Sequence, residues 1–460
     1  MQKMHLGDYS GGYFMELDMT KGSPFKLIRK FIIPLVIGNI FQQFYNMVDT
    51  IIVGRFVGVK ALAAVGATGT IMFLILGFMQ GLTTGFTVMT AQRFGAGDYK
   101  AMKKSVGNAA VLSVIITIIA TIVSVISMDG LLRLMNTPED IFSMSKEYIV
   151  IICLGMGCNI LYNVLSSILR AVGNSKVPLY FLMVSAILNV ILDIVFIVNV
   201  NMGVAGAAWA TVISQGVSGI LCLVYIIKKV ELLHITKEDW KLDYDCAKMQ
   251  MQIGIPMALQ FSITAIGTIL VQSALNMLGS TVVAAYTAAG KVEQLVTQPF
   301  MALGMTMATF CAQNRGIDDI NRIRQGVRVA NIMNAVYAII IAVVIVFAMP
   351  YAITLFVSGD VTEILSFANT YIRVVSIFFI PLGMIFIYRN VLQGSGLSMI
   401  PMLGGVVELV SRSVLAFTAA HYRSYVGVCL ANSAAWFSTG IFLWIAYLYI
   451  MKGWKKKGLY

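Results

Sequence analysis

Long apolar runs alternate with short polar or glycine-bearing segments along nearly the whole chain. They lie near 31–54, 61–90, 107–128, 148–170, 178–200, 203–227, 252–278, 282–311, 331–350, 366–388, 400–421 and 425–449. Coiled into helix, each is long enough, straight or tilted, to cross about 30 Å of hydrocarbon. The pattern therefore predicts twelve transmembrane helices, the split within 178–227 resting on the turn signal at Asn201–Gly203. The first run differs from the others. Asn39, Gln42 or Gln43, Asn46 and Asp49 recur in it at helical spacing and make one polar stripe. An aspartate at the bilayer centre costs roughly 2.5–3.5 kcal/mol, so this stripe faces protein or water, not lipid. A stripe ending in a carboxylate suits an ion or solute pathway; the plainer alternative is an aspartate bonded to neighbouring helices.

Composition agrees with a polytopic membrane protein. Hydrophobic residues make up 58% of the 460 and charged residues 12%, about half the charged share of a soluble domain. The net charge of +12 would suit nucleic acid, but its distribution does not. Of 33 Lys and Arg, 25 fall in the segments on the side of the termini (1–30, 92–105, 170–176, 228–248, 315–328, 389–398 and beyond 450) and five in the opposite loops. By the positive-inside rule both termini are expected in the cytoplasm. The first apolar run follows Arg29 and Lys30 and continues as a full span, so no cleavable signal is expected, and Met15 and Met19 are alternative starts. Six cysteines form no CxxC pair and are expected to be small buried residues. His5, His234 and His421 are scattered, so no histidine metal site is expected.

Shifted by about 222 positions, the chain overlays itself. AQRFGAGDYKAMKKSVGNA at 91–109 lies over AQNRGIDDINRIRQGVRVA at 312–330, and LRAVGNSKVPL at 169–179 over LQGSGLSMIPM at 392–402; Pro34 pairs with Pro256. An even number of spans per copy keeps both copies in one orientation. The expected fold is therefore an all-α polytopic membrane protein with two six-helix halves, related by a pseudo-two-fold axis along the membrane normal. The expected divisions are a tail at 1–30, a first half at 31–230, a linker at 231–250, a second half at 251–450 and a basic tail at 451–460.

From about Lys21 to Lys452 the chain resembles the multidrug and toxic compound extrusion (MATE) family, its prokaryotic branch. The resemblance is carried by PLVIGNIFQQFYNMVDTIIVGRFVG at 34–58, ALAAVG at 61–66, AQRFGAGD at 91–98, LRAVGNSKVP at 169–178, ILNVILDIVFI at 187–197, GVAGAAWAT at 203–211 and AAYTAAGKVEQ at 284–294. It implies a secondary antiporter in a bacterial cell membrane, extruding organic solutes, commonly cationic and amphipathic, against Na+ or H+. It also implies a cation site in the first half, with Asp49, Asn189, Asp193, Thr211 and Tyr148 in matching positions; Tyr162 is the alternative tyrosine. No cofactor is implied beyond the coupling ion. The expected partners are the lipid bilayer and a small organic molecule, with no nucleic acid, and a monomer as the working unit.

Helix geometry is compatible with that carry-over. Asn189 and Asp193 are four apart and share a face. At about 1.5 Å per residue, all five positions reach the half of the membrane away from the termini. Two carboxylates in a partly dry site cannot both stay charged unless a cation sits between them, a proton or a sodium ion. The second half lacks the acids: Asp49 maps onto Leu270 or Val271, Asn189 onto Arg412, and Asp193 onto Ala416. It has charges of its own. Glu408 and Arg412, four apart, are expected to pair structurally, and Arg373 could pair with Glu363 near the outer end of the tenth span. Gln42, Asn46, Gln260, Tyr286 and Glu293 are the candidate lining of a solute cavity between the halves. Among rival functions, a flippase for lipid-linked precursors would need a deeply basic cavity. An intramembrane enzyme lacks an HExxH or GxSxG motif or a visible nucleophile–base pair.

Overall fold

The computed structural model describes residues 17–353 and 362–456, and all of its regular elements are helices. His5, Met15 and the final residues 457–460 of the basic tail lie outside the described residues. The first half contains α1 (Pro24–Ile52), α2 (Val59–Gly95), α3 (Tyr99–Leu134), α4 (Glu139–Leu154), α5 (Met156–Ala171), α6 (Lys176–Asp193) and α7 (Gly203–Lys229). The second contains α8 (Tyr244–Asn276), α9 (Ser280–Gly316), α10 (Ile320–Ile353), α11 (Thr362–Ser376), α12 (Phe379–Gly394), α13 (Met399–His421) and α14 (Tyr425–Lys456).

Among the described residues nine helices are individually long and apolar enough to cross a membrane. The bent pairs α4–α5 (46°) and α11–α12 (53°) each make one more span. With the 29-residue α1, these are the twelve transmembrane helices. The bend falls in the fourth span of each half, so the repeat seen in the sequence extends to helix shape.

Several helices outrun their apolar cores at the face that carries the chain ends, here the terminal face. α1 begins at Pro24, not 31; α3 at Tyr99, not 107; α8 at Tyr244; and α10 at Ile320, not 331. Hydropathy marks the membrane, whereas backbone hydrogen bonding continues through charged residues such as Lys100 and Arg322. The added turns are held by N-caps: Asp98 accepts from the Ala101 amide, and Asp243 from that of Cys246. Lys104 hydrogen-bonds Asp243 at 2.7 Å and holds its carboxyl below the usual carboxylate range.

The halves meet along α2 and α8. A Cβ on Gly85 would lie 2.4 Å from the Gly254 Cα, so the two backbones cross with no room for a side chain. Nearer the terminal face the contacts come in symmetric pairs. Gln92 Nε2 donates to the Gly394 carbonyl and Gln313 Nε2 to the Ala171 carbonyl, each at 2.9 Å. Gln92 and Gln313 are equivalent in the repeat, as are Ala171 and Gly394. Gly95 likewise abuts the Gln313 carbonyl and Gly316 the Gln92 carbonyl. These reciprocal contacts are what a two-fold axis along the membrane normal produces.

One element breaks the symmetry. The segment leading into α1 crosses to the second half, where the Met19 amide donates to Gln313 Oε1 and the Met19 carbonyl accepts from Asn314 and Arg322. The Met19 side chain is 0% exposed, and with Ile28, Phe31, Ile32 and Leu35 it joins the apolar cluster of the second half. Within the stretch expected as a tail, Met19 and Ile28 are thus buried against the second half, while Lys21, Lys26, Arg29 and Lys30 stay exposed.

Candidate cation site and the wall between the halves

The polar stripe of α1 faces inward within the first half. Gln42, Tyr45, Asn46 and Asp49 line a cavity of about 150 Å³, with Tyr148 of α4 and Thr211 of α7 on the opposite walls. Spacings of four and three residues put Gln42, Asn46 and Asp49 on one helix face, so they share one environment. Asp193, 0% exposed, is a close enough neighbour of Asp49 for the two carboxyls to interact. Asn189 links the acids to α7. With its amide nitrogen turned to Asp193 it donates to Oδ2 (3.1 Å), and its oxygen accepts from the Thr211 amide (3.2 Å). Asp49, Asn189, Asp193, Thr211 and Tyr148, from four helices (α1, α4, α6 and α7), are therefore brought together. Tyr162 is not: its hydroxyl donates to the Pro178 carbonyl.

Each acid keeps one oxygen, Asp49 Oδ1 and Asp193 Oδ1, buried without a hydrogen-bond partner among the described residues. Two adjacent carboxylates with unsatisfied inward oxygens, an amide and hydroxyls make a donor set for a small hard cation, or for a proton held between the acids. The volume is a few waters' worth, at about 30 Å³ each, and smaller than the roughly 300 Å³ of a drug-sized pocket. It suits an ion.

Two features escaped the sequence reading. Tyr45, four residues before Asp49 and on its face, reaches Thr211. In addition, the backbone shifts to π-helical hydrogen bonding just after each acid, at Val53–Val57 and Ile194–Asn199. Such segments concentrate at functional sites. A sequence carries no clear mark of them.

The five residues expected to line a solute cavity do not come together. Gln42 and Asn46 belong to the ion cavity. Gln260, Tyr286 and Glu293 turn into the interior of the second half: Gln260 accepts from Gln393 Nε2 (2.8 Å), the Tyr286 hydroxyl accepts from Asn432 (2.7 Å), and Glu293 is hydrogen-bonded by the Tyr371 hydroxyl. Satisfying a buried polar group inside a helix bundle outweighs presenting it to a cleft.

The expected Glu408–Arg412 pair is present at 2.6 Å, and Arg389 adds a second contact to Glu408 at 3.0 Å. Arg389 was placed in a loop by its position at the end of an apolar run, but it sits buried within α12. Among the described residues no ion pair joins Glu363 to Arg373, and no cluster of three or more His, Cys, Asp or Glu could hold a metal.

A second, smaller cavity, about 60 Å³, lies between the halves near the terminal face. Thr87, Ser167 and Arg170 line it on one side, and Met305, Thr309 and Asn390 on the other. Arg170 is the last residue of the apolar run expected at 148–170 and lies in the last turn of α5.

The MatE family model matches residues 34–195 and 256–418, one match in each half. The "Probable multidrug resistance protein YoeA" of Bacillus subtilis is 28% identical over 95% of this chain and 96% of its own length. The "Probable multidrug resistance protein YpnP" of the same organism is 29% identical over 94% and 96%. Among solved structures, one titled as the outward-facing conformation of a multidrug resistance MATE family transporter superimposes with a TM-score of 0.89 at 22% identity, covering 97% of this chain and all of that one. That likeness concerns the fold, and the family assignment rests on the matches to both halves: the chain belongs to the MatE family, the multidrug and toxic compound extrusion transporters.

Proposed function

We propose that the protein is a secondary antiporter that extrudes organic solutes in exchange for Na+ or H+, with the ion held between Asp49 and Asp193 in the first half. The observation that carries this reading is the pair of adjacent carboxylates, each with an unpartnered buried oxygen, in a cavity sized for an ion. Asn189 and Thr211 fix the second acid, while Tyr45 and Tyr148 close the cavity. Drug-like solutes are the class named for the Bacillus relatives. In this reading the terminal face is cytoplasmic, the halves rock about the α2–α8 crossing, and the arrangement described opens to the opposite side. Exposed Gln42, Gln272 and Gln294 on α1, α8 and α9 fit water entering from there.

The test is efflux from proteoliposomes under a sodium or a proton gradient imposed separately. Wild type should respond to one of the two. Asp49→Asn and Asp193→Asn should each cut gradient-driven efflux by about tenfold or more, in line with loss of a required charged ligand. Normal gradient-driven transport by Asp49→Asn would refute the assignment of the site.

A further inference from the structure

We infer that the cleft between the halves holds the anionic group of an amphipathic organic solute, a carboxylate, sulfonate or phosphate, at Arg170. This rests on the transporter reading above and narrows its substrate class.

Arg170 closes the last turn of α5 and lines the 60 Å³ cavity beside the Gln313–Ala171 hydrogen bond that seals the terminal face. Its guanidinium donates to Ser167 Oγ (2.8 Å) and has no ion-pair partner among the described residues. The opposite wall, from α9 and α12, brings Thr309 and Asn390 and no charge. A cavity of this size takes a carboxylate-sized group with the body of the solute in the cleft beyond it.

A second cation stands on the same path. On α9 the positions Thr287, Lys291, Gln294, Met301 and Met305 fall on one helical face, and Met305 reaches the Arg170 cavity. Lys291 is exposed and without an ion-pair partner among the described residues. Exposure to lipid in mid-span would cost roughly 2.5–3.5 kcal/mol, so this face borders water in the cleft.

The acids of the spans are turned elsewhere. Asp49 and Asp193 face each other in the first half, Glu293 is held by Tyr371, and Glu408 by two arginines. The cleft is left with two basic groups and no free carboxylate among the described residues. Low-dielectric walls focus that charge on whatever enters. These groups favour solutes bearing an anion, where the family resemblance implies commonly cationic ones.

The plain alternative is that Arg170 only complements the helix dipole at the end of α5. The experiment separates the two. Full-length protein in nanodiscs of zwitterionic lipid, with no ion gradient, is titrated with carboxyfluorescein (an anion) and rhodamine 6G (a cation on the same xanthene frame), and binding is read by anisotropy. Wild type should prefer carboxyfluorescein. Arg170→Gln should weaken it by about tenfold, as for loss of a charge-assisted contact, and change rhodamine 6G by less than about twofold. Arg170→Lys should retain most of the affinity, and Lys291→Gln should cause a smaller, equally selective loss.

Absence of carboxyfluorescein binding, preference for rhodamine 6G, or equal loss of both dyes in Arg170→Gln overturns the inference. Should Arg170→Gln fail to fold, Lys291→Gln and Arg170→Lys decide it by the same criterion. A parallel titration with phosphatidic acid distinguishes the source. Tighter binding of the lipid assigns the anion to a lipid head group, and tighter binding of the dye to a free solute. Because no gradient is present, these results stand apart from the Asp49→Asn test.

Discussion

Glu408 balances two buried arginines, and that arithmetic sets what its loss would do. Glu408→Ala leaves Arg389 and Arg412 facing each other without a counter-charge, a situation that costs about 3–5 kcal/mol. Thermal unfolding in detergent should show a large drop in midpoint for Glu408→Ala and a much smaller one for Arg389→Met, which leaves the Glu408–Arg412 pair intact. An equal effect of both would mean that Arg389 is as necessary as the acid. At this scale the sequence was legible wherever a charge interrupted an uncharged run. Asp49, Asp193 and the Glu408–Arg412 spacing stand out for that reason. Arg389 was misread because it sits where an apolar run gives way to a polar segment. A cation there looks like loop until the neighbouring helices are in place. Tyr45 had no such signal, since tyrosine is ordinary in a membrane helix and only its register with Asp49 marks it.

At the scale of elements, apolar periodicity located all twelve spans and missed where the helices end, because the first depends on lipid and the second on backbone hydrogen bonds and caps. The bends of α4–α5 and α11–α12 were invisible in it too: each break is one or two residues inside a continuous apolar run. The glycines of the repeated AQ-containing loops were legible as a match, but not as to their use. Gly95 and Gly316 allow helix ends of the two halves to touch. A Cβ on Gly95 would sit 2.0 Å from the Gln313 carbonyl oxygen, which backbone cannot accommodate without moving. Gly95→Ala should therefore open the terminal face. With Ala312→Cys as a reporter on the floor of the cleft, a membrane-impermeant maleimide applied from that side should label the double variant several times faster than the single one, as expected for a shift of about 1–2 kcal/mol between closed and open forms. Unchanged labelling would mean that the seam relaxes around the methyl group.

For the whole molecule, the repeat predicted two equivalent halves, and the reciprocal Gln92 and Gln313 hydrogen bonds bear out that symmetry at the atomic level. The sequence did not reveal that the first turns of α1 would pack in the core of the opposite half, because the residues responsible are apolar either way. Symmetry alone makes Gln92→Ala and Gln313→Ala equal in effect. The added bond from the Met19 amide makes Gln313→Ala the more disruptive of the two, and the same maleimide assay should rank them so. The crossing by Met19 also bears on how well the resting protein insulates the bilayer. In the rocking proposed above, opening the terminal face would pull a fully buried methionine out of an apolar core, which disfavours the open form by about 1.5–3 kcal/mol, or roughly ten- to a hundredfold in population. In the exchange proposed above, each opening without cargo would be a liability to the cell. Met19 would then act as a seal against idle cycling, and Met19→Ala should appear as a background sodium or proton leak in vesicles that contain no solute at all.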